Sequence, residues 1–211
     1  MRLVRIPKDR VGALIGEGGE TKELIERRAG VRLDIDSEGE VNIRDNPNDP
    51  LAALKVMDLV KAIGRGFAPH RAMRLLDEDE YLEIVEIGDF VGKKSDKLSR
   101  MRSRLIGTNG KTRRIIEDLT GANVSIYGST VALIGNSVQL PVAKKAVEMI
   151  LRGSEHATVY RYLERSRLRC ASPRWASPEE GREAGARSLY PSIFGGQGED
   201  GGRPHRHQVT L

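Results

Sequence analysis

The sequence predicts an α+β fold made of two tandem copies of a β-α-α-β-β-α repeat that pack together. Short segments of alternating polarity, typical of half-buried strands, recur between segments with helical periodicity. The order of these segments then returns once, shifted by 91 residues before the strand hairpin and by 90 after it. Because each copy is too small to bury much apolar surface alone, we expect the two copies to pack against each other.

The first copy is predicted over residues 1–64. Its predicted elements are, in order, strand Arg2–Ile6, helices Asp9–Ile15 and Glu20–Ala29, strands Val31–Ile35 and Val41–Ile43, and a helix that ends near Ile63. The turn Gly16-Glu17-Gly18-Gly19 separates the first two helices. Asp49 is predicted to cap the third helix with Pro50 at its first position, and Leu54 to lie on its inward face.

A linker is predicted over residues 65–80, with a short helix at Pro69–Leu76, and the second copy over residues 81–153. The predicted elements of the second copy are strand Tyr81–Ile87, a helix capped by Ser95 that ends at Leu105, helix Lys111–Thr120, strands Asn123–Tyr127 and Thr130–Ile134, and helix Val138–Leu151. A C-terminal helix is predicted at residues 154–167. Residues 168–211 are rich in glycine and proline without a period, which predicts a disordered tail.

The turn Gly107-Thr108-Asn109-Gly110 joins the first two helices of the second copy and matches the turn at residues 16–19. The shift of 91 residues also pairs Ile15 with Ile106, Thr21 with Thr112, Ile25 with Ile116, Glu26 with Glu117 and Gly30 with Gly121. Glycine permits a tight turn and close approach of another backbone. The start of the following helix presents unpaired N–H groups, which suit a phosphate. The sequence therefore predicts an anion-binding turn rather than only a connection.

Charge is concentrated in the second copy. The whole chain has a net charge of +5 and a pI near 9.4. Residues 82–167 hold 15 Lys and Arg against 9 Asp and Glu, whereas residues 1–64 hold 11 against 12. An anionic partner is therefore expected at the second copy. Aromatic content is 4%, so we expect no aromatic stacking platform and base contacts that are aliphatic or polar.

The compartment is predicted to be reducing, because Cys170 is the one cysteine of the chain. No stretch reaches the roughly 18 apolar residues of a membrane span, so a cytoplasmic protein with no membrane contact is expected. Asp34 with Asp36, and the run Asp77–Glu80, are more typical of solvated surface than of a metal site. We expect no metal ligands and no cofactor.

Ile-Gly-x-x-Gly between two helices, inside β-α-α-β-β-α, resembles the type I KH domain, an RNA-binding module. The resemblance covers both copies, about residues 1–151, and implies a three-stranded sheet with helices on one face in each. It also implies that the Gly-x-x-Gly turn clamps the backbone of about four unpaired nucleotides. The bases then lie over an apolar groove against the second strand.

The two turns differ in charge. The second turn is neutral and is followed by Lys111, Arg113 and Arg114, and Lys97, Arg100 and Arg104 form one stripe on the preceding helix. We predict that the stripe, the turn residues 107–110, Lys111 and Arg113 contact RNA phosphates, and that Arg114 is solvated. The first turn places Glu17 where a phosphate would sit, with Glu20 and Glu23 after it. Residues 16–19 are therefore predicted to be a weaker RNA site or a scaffold.

The paired arrangement resembles the archaeal relatives of Partner of Nob-one, a family of ribosome-assembly proteins with two KH units. The resemblance rests on the segments Ile6-Pro7, Gly66-Phe67-Ala68-Pro69, Arg74-Leu75-Leu76-Asp77, Lys94-Ser95-Asp96-Lys97-Leu98 and Tyr160-Arg161-Tyr162-Leu163-Glu164. It implies a non-enzymatic protein that binds single-stranded RNA near the 3′ end of small-subunit ribosomal RNA and cooperates with the endonuclease that trims this end.

A nucleotide-binding P-loop is discounted on spacing. Gly110-Lys111-Thr112 matches the end of a nucleotide-binding P-loop, but that motif needs glycine at position 105, which is leucine, and a preceding strand rather than a helix. A protein-interaction scaffold, in which the acidic first copy docks a translation initiation factor or a processing factor, remains an alternative. General messenger-RNA binding would use the same site on another target.

Overall fold

The computed structural model of the chain describes residues 2–44, 49–92 and 94–170, and within them the elements follow the predicted order. We call the elements β1 to α3 the first repeat. They are β1 (Arg2–Arg5), α1 (Lys8–Ile15), a 3-10 turn (Glu17–Gly19), α2 (Glu20–Ala29), β2 (Arg32–Ile35), β3 (Glu40–Arg44) and α3 (Pro50–Gly64).

The linker holds helix α4 (Pro69–Ala72) and a 3-10 turn (Met73–Leu76) in place of one short helix. We call the elements β4 to α8 the second repeat. They are β4 (Tyr81–Glu86), α5 (Gly88–Val91), α6 (Ser95–Ile106), a 3-10 turn (Thr108–Gly110), α7 (Lys111–Thr120), β5 (Asn123–Tyr127), β6 (Thr130–Gly135) and α8 (Gln139–Leu151). Helix α9 (His156–Cys170) follows. Residues 171–211, most of the predicted tail, lie outside the described residues.

The two sheets have the same topology. Each is antiparallel and three-stranded, with the third strand in the middle, in the orders β1-β3-β2 and β4-β6-β5. In the first sheet, Val4, Leu33, Val41 and Ile43 are buried on one face, and the alternate residues are exposed or partly exposed. The predicted tandem β-α-α-β-β-α architecture is confirmed.

The middle strand of the second sheet, β6, is buried on both faces. All of its residues are buried. Val131 and Leu133 pack into the core under the helices of the second repeat, whereas Ala132 and Ile134 belong to the core of the first repeat. Because side chains alternate along a strand, the helices of the first repeat cover the outer face of the second sheet. The two repeats therefore share one continuous structure.

Polar contacts reinforce this packing beside the linker. The Arg10 guanidinium donates to the carbonyl oxygens of Ile63 and Phe67 at 2.9 and 2.7 Å and lies 5.9 Å from the centre of the Tyr127 ring. The Tyr127 hydroxyl donates to the Asp9 carboxylate. This hydrogen bond, together with desolvation and the charge of Asp9, raises the pKa of Tyr127. A strand of the second repeat is thereby fixed to the first helix of the chain.

One repeated glutamate links the second helix of each repeat to the strand that follows it. The Glu26 carboxylate accepts the N–H of Leu33 at 2.7 Å, and the Glu117 carboxylate accepts the N–H of Val124 at 2.9 Å. Both strands lie at the edge of their sheets, where an N–H group lacks a neighbouring strand. Glu117 also pairs with Arg71 of the linker at 2.8 Å. The repetition of this glutamate therefore has a structural cause.

Two expectations from the sequence are wrong in detail, and one short helix is missing from the prediction. Ser95 does not cap α6, because its backbone is already helical and Lys94 occupies the capping position without a side-chain hydrogen bond. Leu54 is 43% exposed, since α3 turns Ala53, Val56 and Val60 inward instead. Helix α5 was not expected, because four residues are too short for helical periodicity to be visible. The predicted Asp49 cap is confirmed by bonds to the N–H groups of Leu51 and Ala52.

We expect Ile134→Ala to lower the free energy of unfolding by about 2–5 kcal/mol, the usual cost of truncating a fully buried aliphatic side chain. Leu133→Ala, which faces the opposite core, should cost a similar amount, and Leu3→Ala, on an exposed position, less than about 0.5 kcal/mol. Urea denaturation measures all three. A loss at Ile134 as small as that at Leu3 would contradict burial of the second sheet on both faces.

Candidate nucleic-acid interface

The two Gly-x-x-Gly turns have nearly the same backbone. Gly16 and Gly107 have φ of 77° and 73°, both with ψ of 174°. Gly19 and Gly110 have φ of 92° and 76°, and each precedes the first residue of the next helix. Among the described residues, Asn109 is the one non-glycine with positive φ, at 52°, where the first repeat has Gly18. Asparagine tolerates this left-handed conformation better than most residues.

The first glycine of each turn is required by its surroundings. A Cβ atom on Gly107 would lie 2.3 Å from the Thr112 hydroxyl oxygen, and one on Gly16 would lie 2.4 Å from that of Thr21. A Cβ atom on Gly18 or Gly19 would meet open space. The turn therefore packs tightly against the start of the second helix and leaves its other side open to a ligand.

Arg114 supports the turn of the second repeat. Its guanidinium donates to the carbonyl oxygen of Asn109 at 2.7 Å and so stabilises the left-handed residue. Arg114 is exposed, as expected, and makes this local contact in addition. Two N–H groups of the turn are also engaged locally, because that of Gly110 donates to the carbonyl oxygen of Gly107 at 3.2 Å and that of Lys111 donates to the carbonyl oxygen of Thr108.

An open groove of about 570 Å³ lies between the turn, α6 and the start of α9. It is lined by Arg100, Ser103, Arg104, Gly107, Thr108, Lys111, Thr112, His156 and Tyr160. None of these residues is acidic. Within the described chain, Arg100 and Lys111 are exposed and form no ion pair. The groove therefore presents uncompensated positive charge beside the turn.

Five of the residues predicted to bind RNA line this groove: Arg100, Arg104, Gly107, Thr108 and Lys111. Arg104 also has a structural role, because its guanidinium donates to the carbonyl oxygen of Ser154 at 2.8 Å. Asn109 and Gly110 lie in the turn itself.

The two remaining predicted residues, Lys97 and Arg113, lie outside both the groove and the turn. Lys97 is exposed one helical turn before Arg100. Arg113 is partly buried, with its Nε atom 3.9 Å from the Glu117 carboxylate and without a hydrogen bond. It faces the linker side of α7, where Arg71 also pairs with Glu117.

The opposite flank of α6 faces the hairpin between β5 and β6. There Arg102 donates to the carbonyl oxygen of Gly128 at 3.3 Å. Residues 102 and 104 point about 200° apart on a helix, so the basic stripe faces α9 and not β5. The flank near β5 presents Ile106, which is 36% exposed, and Ile126, which is partly buried. These residues form the apolar side of the turn, and the sequence prediction did not name them as site residues.

Two aromatic side chains of α9 stand on the basic side of the turn, and the sequence prediction did not include them in the site. His156 Nε2 is 3.0 Å from the carbonyl oxygen of Arg104, and the Tyr160 hydroxyl is 3.1 Å from that of buried Thr112. The ring centres of His156 and Tyr160 are 6.1 Å apart and tilted by 47°. Tyr160 is separated from Thr112 by 48 residues, so no local sequence pattern predicts this contact.

The first repeat carries opposite charge at the matching positions. Asp9 and Glu20 stand where the second repeat has Arg100 and Lys111, and Glu17 replaces Thr108. Asp9 is engaged by Tyr127, whereas Glu17 and Glu20 are exposed. The same backbone turn is therefore set in a cationic environment in one repeat and in an anionic environment in the other.

Two of the acidic residues considered as metal ligands form ion pairs with arginine. Asp34 pairs with Arg44 at 2.8 Å, and Glu80 pairs with Arg74 at 2.6 Å. Glu80 is largely buried and is therefore not the solvated residue that was expected. Across residues 2–44, 49–92 and 94–170, no group of three His, Cys, Asp or Glu side chains is arranged to hold a metal ion, and no helix has the length and apolarity of a membrane span.

Comparison with known proteins agrees with this geometry. A family model described as the eukaryotic type KH-domain (KH-domain type I), from the second KH unit of PNO1, matches residues 81–168, and a general KH-domain model matches residues 1–57. A KH domain-containing protein of Methanocaldococcus jannaschii is 47% identical over 177 residues, which are 83% of this chain and 78% of that protein. The pre-rRNA-processing protein pno1 of Schizosaccharomyces pombe is 32% identical over 66% of this chain and 58% of that protein.

Solved structures show the same fold. The crystal structure of Dim2p from Pyrococcus horikoshii is 53% identical, with a TM-score of 0.73 over 78% of this chain and 98% of that one. Dim2p of the same organism in complex with a/eIF2alpha and rRNA is 52% identical, with a TM-score of 0.75 over 79% and 93%. By its two KH matches and its identity to the Methanocaldococcus protein, the chain belongs to the PNO1-type family of tandem KH-domain proteins, which are non-enzymatic RNA-binding factors.

Proposed function

We propose that the protein binds single-stranded RNA from the 3′ region of small-subunit (pre-)rRNA and assists the endonuclease that matures this end. The second repeat holds the RNA, with the phosphates on the turn at residues 107–110, Lys111 and the stripe of Lys97, Arg100 and Arg104. Arg113 also contacts a phosphate, and its side chain must first move away from the Glu117 carboxylate, which lies 3.9 Å from its Nε atom. The first repeat is a weaker RNA site or a scaffold.

The observation that carries this proposal is the contrast in charge between two turns of equal geometry. A phosphate at the turn of the second repeat meets two cations that have no acidic partner within the described chain. A phosphate at the first turn meets Glu17 and Glu20. All four of these side chains are exposed and screened by solvent, so each contributes modestly, but attraction at one turn and repulsion at the other both favour the second repeat.

The relatives support the choice of RNA. One is named a pre-rRNA-processing protein, and another was solved in complex with rRNA. The site has the properties of a backbone clamp, because glycines keep side chains away from the strand while N–H groups and cations meet the phosphates. Exposed Ile106 and partly buried Ile126 supply an apolar surface for bases against β5.

A scaffold for protein partners is the second candidate function. The acidic first turn favours it, and the relative that was solved with rRNA also holds a/eIF2alpha. The first repeat would then dock a translation initiation factor or the endonuclease, and the second repeat would hold RNA.

We expect Thr108→Asp together with Asn109→Asp to weaken binding of a short unpaired RNA at least about a hundredfold, because two carboxylates then face the phosphates. Aspartate tolerates the left-handed conformation of residue 109, so the fold should persist. Fluorescence anisotropy measures the affinity, and circular dichroism checks the fold. Glu17→Asp with Gly18→Asp is the matched control and should change affinity by less than about threefold. A greater loss from this control would mean that the roles of the repeats are reversed.

RNA affinity should also depend strongly on salt. The logarithm of the affinity should fall by about 0.7 per phosphate neutralised for each unit of log salt concentration, which gives a slope near −2 to −3 for about four nucleotides. Lys111→Gln should reduce the slope by about one phosphate contact. Lys145→Gln, at an exposed position outside the groove, should leave the slope unchanged. An affinity for unpaired RNA that is independent of salt would contradict phosphate binding.

Capture of partners from nuclease-treated lysate separates the two candidate functions. A scaffold keeps its protein partner after RNA is digested, and it loses the partner when Glu17 and Glu20 are both changed to Gln. If RNA binding is the main function, co-captured proteins should be lost from the captured fraction when the RNA is digested. They should be captured again when undigested RNA is added back.

A further inference from the structure

The groove beside the second turn combines cations with aromatic rings, and the proposed phosphate contacts use its cations and the turn but not its rings. Tyr160 lines the groove, and its hydroxyl is hydrogen-bonded to the buried Thr112 at 3.1 Å. The tilted His156 ring beside it is held through the carbonyl oxygen of Arg104. Both rings are therefore fixed in orientation before any ligand arrives. A ring that is already ordered loses little conformational entropy when a ligand stacks on it.

The size and charge of the groove suit one nucleotide. Its volume of about 570 Å³ lies within the range of small-ligand sites. Arg100 and Lys111 stand at its margin without acidic partners in the described chain, so they can meet a phosphate. The hydroxyl groups of Ser103 and Thr108 add polar contacts to its lining. The lining combines apolar surface with cations and hydroxyl groups, which matches a base and its phosphate better than a purely aliphatic peptide.

The feature is specific to the second repeat. Both rings come from α9, which lies outside the β-α-α-β-β-α pattern and covers the second helix of the second repeat. In the first repeat, Leu24 corresponds to Ile115 and is 38% exposed, and acidic residues stand at the positions of Arg100 and Lys111. The ring-lined groove therefore arises only where the turn is cationic.

We propose that this groove binds one unpaired nucleotide of the RNA that crosses the turn, with its base stacked on Tyr160 and its phosphate between Arg100 and Lys111. This inference rests on the proposed RNA-binding function and adds a second base-binding surface, on the side of the turn opposite β5. The RNA strand thus contacts both flanks of α6. The turn clamps the backbone between an apolar surface and an aromatic one.

The test uses the full chain and a ten-nucleotide unpaired RNA copied from the 3′ end of small-subunit rRNA. Stacking of a base on an aromatic residue typically contributes about tenfold in affinity. Tyr160→Leu should therefore weaken binding about tenfold, while Tyr160→Phe, which keeps the ring, should stay within about twofold of the wild type. Tyr81→Leu, at an exposed tyrosine of the second repeat outside the groove, is the matched control and should have no effect.

A second measurement needs no variant. The same RNA with 5-iodouridine at each position in turn is irradiated with the wild-type protein, and the adducts are mapped by mass spectrometry. An adduct on Tyr160 from one position is expected. Adducts confined to the β5 side of the turn would overturn the proposal. An equal loss of affinity in Tyr160→Phe and Tyr160→Leu would also overturn it, because the hydroxyl contact with Thr112 would then explain the effect.

If the aspartate pair at residues 108 and 109 abolishes binding while Tyr160→Leu has no effect, the groove carries no base and the proposed function stands. If the aspartate pair leaves the affinity unchanged, the proposed function itself fails.

Discussion

The packing of β6 between two cores determines the arrangement of the molecule. A three-stranded sheet with helices on one face leaves its other face to solvent or to a partner. In the first repeat that other face is mostly polar and exposed. In the second repeat it is buried, because Ala132 and Ile134 on this face pack into the core of the first repeat. The repeats are therefore not two independent modules on a flexible linker. The turns at residues 16–19 and 107–110 are held in a fixed relation.

Within this frame, the backbone of the Gly-x-x-Gly turn is set by sterics and its function by charge. The contact of Gly107 with Thr112, like that of Gly16 with Thr21, is a property of the repeat that both copies keep. The charge around the turn can differ between the repeats without affecting the core, because positions 9, 17 and 20 and their counterparts 100, 108 and 111 lie on the surface. One geometry thus supports a cationic site and an acidic surface. Helix α9 adds a further difference, since it brings Tyr160 and His156 only to the cationic turn.

Much of the fold and part of the site could be predicted from the sequence. The repeat at a shift of 91 residues located the turns, the helices around them and the glutamates that fasten the edge strands, because each of these features is local. Five predicted site residues indeed meet in one groove. What the sequence did not reveal depends on distant contacts. Tyr160 reaches the turn across 48 residues, and Ile134 points into the core of the other repeat. The hydrogen bond from Arg114 depends on a left-handed residue that the sequence does not specify.

Amide chemical shifts measured by NMR during titration with an unpaired RNA test most directly whether RNA binds at the turn of the second repeat. We expect the largest shifts at the N–H groups of Thr108, Asn109, Gly110 and Lys111, with smaller shifts or none at the matching residues 17–20. Equal or larger shifts at residues 17–20 would contradict this expectation, because the acidic turn would then bind the backbone as well as the cationic one.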